Sequence, residues 1–205
     1  MKDNLIAKLL LQINAIKLNP KNPFTWSSGK KSPIYCDNRL ILSYPQIRSI
    51  IQEELVKFCL ENYKNSNLVA GVATAGIPHG ILIAHKMKLP FIYVRDQHKK
   101  HGRQNKIEGE IGNNRKVLIV EDLISTGKSS LNVAETLKKK NCEITGIISI
   151  FNYNFSETEY LMKTHNIKAL SLCNFHDLIS QAKKSNYISD EEYENILNWH
   201  SNFKV

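Results

Sequence analysis

The chain has 205 residues, of which 42% are hydrophobic, with 28 lysines and arginines against 19 acidic residues and a formal charge of +9. That length suits one compact fold with a real core rather than two equal domains, and no stretch approaches the roughly 20 apolar residues that span a bilayer. The positive charge is compatible with nucleic acid, an anionic surface or a phosphorylated small molecule; lysine runs such as Lys138, Lys139 and Lys140 read more simply as a solvated helix face.

Cys36, Cys59, Cys142 and Cys173 stand isolated, without a CxxC pair or a histidine at zinc-site spacing, so structural disulfides and a zinc site are not expected. Residues 1–17 show helical periodicity and no small-residue cleavage pattern, which makes a cytoplasmic location the expectation.

Asp3 is placed to cap a first helix whose Ile6, Leu9, Leu10 and Ile13 share one side. Residues 19–38 then turn rich in Pro, Gly, Ser and Lys, with Phe24, Trp26 and Tyr35 spaced through them. Such aromatics serve either as anchors of a packed turn region or as a surface that stacks on a flat ligand. An amphipathic helix follows over 45–60, carrying Ile47, Ile50, Ile51, Leu55 and Phe58.

The apolar run at 68–71 predicts a strand, 74–78 a tight loop, 80–86 a helix, and 91–94 a second strand. Residues 96–112 hold only Ile107 and Ile111 among His98, Lys99, Lys100, His101, Arg103 and Lys106. Such a run cannot fold alone and reads as a mobile loop or two-strand flap. The run at 117–120 has the continuous apolarity of a strand buried on both faces. A crossover helix over 129–140 and a strand over 144–151 follow. The rest predicts a helix over 157–165, a strand over 169–173, a helix over 175–184, and a last helix opened by the capping box of Ser189 and Glu192. Strands alternating with crossover-length helices give an α/β fold: a central, mostly parallel sheet flanked by helices.

The chemistry concentrates after that central strand. Glu121 and Asp122 stand where its C-terminal end meets solvent, and Leu123, Ile124, Ser125, Thr126, Gly127, Lys128 and Ser129 form a small-residue turn into the next helix. In an open parallel sheet ligands bind at this end, and the amides of such a turn converge on a phosphate. Carboxylates are wrong for gripping phosphate but suit sugar hydroxyls or a hydrated magnesium ion. The spacing is neither that of a Walker loop nor GxGxxG.

This strand, acid pair and turn closely resemble the phosphoribosyl-diphosphate signature of the type I phosphoribosyltransferases. Three further segments, at 24–39, 71–78 and 93–102, resemble the orotate phosphoribosyltransferase family, and with the signature they cover most of residues 1–151. The resemblance implies a single phosphoribosyltransferase domain over 1–205, with an N-terminal hood over 1–40 and a flexible catalytic loop over 96–112. It implies transfer of the 5-phosphoribosyl group of 5-phosphoribosyl 1-diphosphate to orotate in pyrimidine biosynthesis. It further implies dependence on Mg²⁺, a homodimer with shared active sites, and no nucleic-acid or membrane partner.

Residue by residue, it puts Asp122 and Glu121 beside the ribose hydroxyls and the turn from Leu123 through Ile124, Ser125, Thr126, Gly127 and Lys128 to Ser129 around the 5-phosphate. Thr74, Ala75 and Gly76 meet the diphosphate. Arg95, Lys99 and His101 are its cations, the last two donated across the dimer, with Lys99 also catalytic. Ser125 and Tyr35 meet orotate, and magnesium is held mainly by substrate, with Asp122 reaching it through water. The chain departs from one branch of the family at Ser27, Ala75 and Asp96, where that branch has lysines, and lacks an arginine near Asn152 and Tyr153. Arg39 and Lys30 remain the candidates for the orotate carboxylate.

Other readings are a purine or uracil transferase, a regulator of the same fold, and a nucleic-acid-binding module. The aromatic, glycine-containing segment from Trp26 to Arg39 argues against the purine enzymes. The N-terminal helix is too short for a DNA-reading element. Scattered lysines explain the charge without nucleic acid.

Overall fold

A computed structural model of the chain describes residues 4–95 and 106–204. Asp3, expected as the first cap, lies outside them; Asn4 caps helix α1 (Leu5–Gln12) instead, its side chain accepting from the amide of Ala7. Ile6, Leu9, Leu10 and Ile13 are all buried, as their spacing requires. The turn-rich segment that follows is more ordered than its composition suggests. It holds strands β1 (Ile16–Leu18), β2 (Phe24–Thr25), β3 (Lys31–Ser32) and β4 (Ile34–Cys36), with β1 antiparallel to β4 and β2 to β3, and ends in a 3-10 helix over Asn38–Ser43.

Helix α2 (Pro45–Asn62) leads into β5 (Leu68–Val72), α3 (Gly76–Met87), β6 (Phe91–Val94) and a short β7 (Ile107–Glu108). Then come β8 (Lys116–Ile124), α4 (Lys128–Lys138), β9 (Glu143–Asn152), α5 (Ser156–Thr164), β10 (Ala169–Asn174), α6 (Phe175–Lys184) and α7 (Asp190–Asn202). The main sheet has the order β10-β9-β8-β5-β6-β7. All its pairings are parallel except β6 with β7. Of the expected flap over 96–112, residues 96–105 lie outside the described ones, and Ile107 and Glu108 form the antiparallel edge strand.

Residues of β8 alternate between the two faces, as a buried strand must. Leu118 and Val120 face a core with α1, α2, α3 and α6, whereas Val117 and Ile119 face one with α4 and α5. The C-terminal helix opens with the capping box of Ser189 and Glu192. No helix of the described residues is long and apolar enough to cross a membrane.

Candidate active site

Parallel strands send their C-terminal ends to one edge of the sheet, so the segments after β5, β6, β8 and β9 meet there. The segment after β5 packs hard against β8. A Cβ on Gly76 would stand 2.4 Å from the main-chain oxygen of Val120, so only glycine lets α3 begin at that spot. The Ala73–Thr74 peptide is cis.

Strand β8 runs four residues past the apolar stretch that predicted it, because β9 keeps pairing with it as far as Ile124↔Asn152. Glu121 is 7% exposed, with Ser130 Oγ 3.5 Å from its Oε2 and the Asp122 amide donating to its Oε1 at 3.2 Å. Asp122, on the opposite side, is half-buried. Burial pushes the Glu121 carboxyl well above the usual carboxylate range, and the Asp122 charge pushes it further. Burial raises Asp122 too, opposed by a hydrogen bond with Glu121 and by the field of Arg39. Both carboxyls are pushed towards the protonated form, Glu121 further than Asp122, so Asp122 is the member of the pair that ionises more readily.

The turn beyond is braced from beneath. Ile124 is a core residue whose carbonyl accepts from the Tyr153 amide at 2.9 Å. The Ser125 carbonyl accepts from Thr158 Oγ1 at 2.7 Å. Gly127 has φ +72°, and a Cβ there would approach Met162 Cε to 2.7 Å. Helix α4 then starts at Lys128 with no side-chain cap from Gly127; the Lys128 amide makes only a long bond to Thr126 Oγ1, at 3.4 Å, and a helix start of this kind suits an anion.

Opposite this turn stands the N-terminal segment. Trp26 Nε1 donates to the Ile34 carbonyl at 3.1 Å, and its ring packs edge-on against Tyr153, Trp199 and Phe203. Between the two lies a cavity of about 760 Å³. Trp26, Lys30, Tyr35 and Arg39 line it from the N-terminal side, Leu123, Ser125, Thr126 and Lys128 from the strand end and turn, and Tyr153 and Phe203 complete it. Its lining suits a ligand with a flat end at the aromatics and an anionic end at α4.

Of the residues singled out in the sequence, Tyr35, Leu123, Ser125, Thr126 and Lys128 thus meet around one cavity. Glu121 and Asp122 lie on the strand that carries the turn, Ile124 contributes backbone only, and Ser129 is exposed on α4. Thr74, Ala75, Gly76 and Arg95 occupy neighbouring positions on the same sheet edge but do not line the cavity. Arg95 donates to the Tyr93 hydroxyl at 3.3 Å and sits 3.6 Å from Glu108. Lys99 and His101 lie outside the described residues. Of the two carboxylate candidates, Arg39 is engaged by Asp37, its Nε and Nη2 at 2.6 and 2.9 Å from the two oxygens, which holds the Asp37 carboxyl below its usual range. Lys30 sits over the Phe203 ring and donates to the Lys204 carbonyl.

Tyr153 and Phe203 were not legible as site residues. Each follows the end of a regular element, and no local pattern distinguishes an aromatic that will line a cavity from one that fills a core.

A family model described as "Phosphoribosyl transferase domain" matches residues 42–187. An orotate phosphoribosyltransferase of Porphyromonas gingivalis is 45% identical over 195 residues, 95% of this chain and 93% of that one. The fold superposes on Leishmania donovani UMP synthase with a TM-score of 0.82 and 26% identity, covering 99% of this chain but 43% of that longer one. It also superposes on the orotate phosphoribosyltransferase of Aeropyrum pernix with a TM-score of 0.78 and 24% identity, covering 90% of this chain and all of that one. With the signature turn, the acid pair and the facing aromatic wall in one place, and near-full-length identity of this size, the chain belongs to the orotate phosphoribosyltransferases of the phosphoribosyl transferase family.

Proposed function

We infer that this chain transfers the 5-phosphoribosyl group from 5-phosphoribosyl 1-diphosphate to orotate, giving orotidine 5'-phosphate and diphosphate in pyrimidine biosynthesis. The observation that carries the reading is the cavity shared by the uncapped start of α4 and the aromatic N-terminal segment, which offers phosphate and base one continuous site. The 5-phosphate sits in the turn from Leu123 to Ser129, against the amides at the start of α4. The ribose hydroxyls meet Asp122 and Glu121, and the base lies beside Tyr35 and Ser125 under the hood of residues 1–40. Thr74, Ala75 and Gly76 receive the diphosphate, backbone to oxygen.

Breaking the C1–O bond builds negative charge on diphosphate and positive charge on the ribose. Cations meeting the departing diphosphate stabilise that state more than the ground state. Arg95 is one, and Lys99 and His101, from the 96–112 catalytic loop of a second copy in a homodimer, are the others. Asp122, the more readily ionised member of the acid pair, offsets the ribose charge through the hydroxyls. Orotate N1 attacks C1, so no enzyme nucleophile is required.

Among the described residues no cluster of three or more metal-binding side chains exists. The carboxylate pair is a hard oxygen donor set that fits magnesium only as a partial shell, with Asp122 reaching it through water and the substrate's oxygens supplying the rest. When bound, the ion neutralises diphosphate charge. The four cysteines are free, which suits the reducing cytoplasm.

The test is product formation: purified protein with orotate, 5-phosphoribosyl 1-diphosphate and Mg²⁺ yields orotidine 5'-phosphate, chelation stops it, and restoring Mg²⁺ restores it. Turnover unaffected by chelation contradicts the magnesium role, and no nucleotide product from folded protein contradicts the reading.

A further inference from the structure

Strand β8 has unequal neighbours at its catalytic end. Its register with β9 continues to Ile124, but its register with β5 ends at the pair Gly71↔Val120. On the β5 side, therefore, the main chain carrying Asp122 has run past its strand partner. A carbonyl in that position needs a donor from elsewhere, since a main-chain oxygen without one destabilises the fold. The donor is Asn38, whose Nδ2 reaches the Asp122 oxygen at 2.8 Å.

Asn38 is fully buried and begins the 3-10 helix that follows β4. Its Oδ1 faces the Cys36 thiol at 3.4 Å, and Cys36 lines the cavity while Asn38 does not. One amide thus joins the wall of the base pocket to the main chain of the ribose-binding acid. It takes the place of the missing strand.

We propose that Asn38 is a positioning residue that fixes Asp122 against the hood, so that base and ribose are held in a single frame. It touches no substrate and acts through Asp122 and Cys36. The proposal rests on the function inferred above and adds to it a determinant of turnover. Misplacing the acid weakens stabilisation of the ribose charge, which develops only in the transition state, so kcat bears the loss and the two Michaelis constants change little.

The test uses two near-isosteric variants, with folding checked by near-ultraviolet circular dichroism. Asn38→Leu keeps the volume and removes the donor; it is expected to lower kcat on the order of tenfold to a hundredfold, with the KM for each substrate within about threefold. Asn38→Asp donates to the Asp122 oxygen only when protonated, so its activity relative to wild type should rise as pH falls. The charged and titratable groups around the site are Glu121 and Asp122 on β8, Tyr35 and Cys36 on β4, Asp37 and Arg39 after it, Tyr153 after β9, and Cys173 on β10; all are retained in both proteins. A wild-type kcat in Asn38→Leu, or an Asn38→Asp ratio flat with pH, overturns the proposal, and the second holds even if the leucine variant does not fold. If the wild-type protein itself fails to consume orotate, the inferred function falls first, and the two failures are told apart.

Discussion

Trp26 and Phe203 meet edge to face with ring centroids 5.3 Å apart, joining a residue between β2 and β3 to the segment beyond the last helix. Phe203 also stacks on Phe155 at 4.5 Å, lies under the Lys30 ammonium at 4.9 Å, and lines the cavity. The segment after α7 is therefore part of the cavity's wall.

Replacing Phe203 by alanine removes that wall without touching the acid pair or the phosphate turn. The expected result is a KM for orotate raised about tenfold, roughly 1.4 kcal/mol of lost contact, with the KM for 5-phosphoribosyl 1-diphosphate unchanged. Steady-state kinetics with each substrate varied in turn gives the answer; an unchanged orotate KM means that Phe203 only packs.

The acid pair predicts an asymmetry. Asp122→Asn removes the more readily ionised member and is expected to lower kcat/KM by a factor on the order of 10² or more. Glu121→Gln replaces the carboxyl that burial pushes further towards its neutral form with a neutral group of the same shape, and should stay within about tenfold of wild type. Equal losses in the two variants would show that both carboxylates act in ionised form.

Stability against pH separates two buried groups of opposite sign. His79 is 1% exposed, and burial lowers its pKa to about 4, below the unfolded value of about 6.5. Its neutral form is the one the fold accepts, so stability is full above about 6.5 and is lost as pH falls towards 4, by at most about 3 kcal/mol. Glu121 is raised, so its contribution is present at low pH and lost as pH rises through its folded pKa. The two slopes oppose each other in the same window. Urea denaturation across that window should show a steeper acid loss in Glu121→Gln than in wild type, and a shallower one in His79→Leu; parallel profiles in all three proteins would contradict both assignments.

How much of this was legible in the sequence follows from which forces are local. Periodicity located the helices from α2 to α7 to within a few residues, and the continuous apolar run marked the strand at the centre of the sheet. The extension of β8 through Glu121 and Asp122 was not visible, because polar residues there read as a strand end while the register with β9 carries the strand on. The short strands β1 to β4 were hidden for the same reason: their partners pair across intervening turns, and two- or three-residue strands have no period to detect. The signature turn marked itself out by composition, since Gly127 answers to a backbone angle and the small residues to close approach. Tyr153, Phe203 and the tie from Asn38 to Asp122 depend on contacts between distant segments, which spacing along one chain does not encode.

The most direct test of the central claim is the ratio of kcat/KM for orotate to those for uracil, hypoxanthine and adenine, measured on the purified protein with saturating 5-phosphoribosyl 1-diphosphate and Mg²⁺. The account predicts conversion of orotate with the other three bases at least about 10²-fold poorer, since none of them brings both the pyrimidine shape and the carboxylate. Preferential consumption of another base would keep the phosphate turn and contradict the assignment of the aromatic hood to orotate.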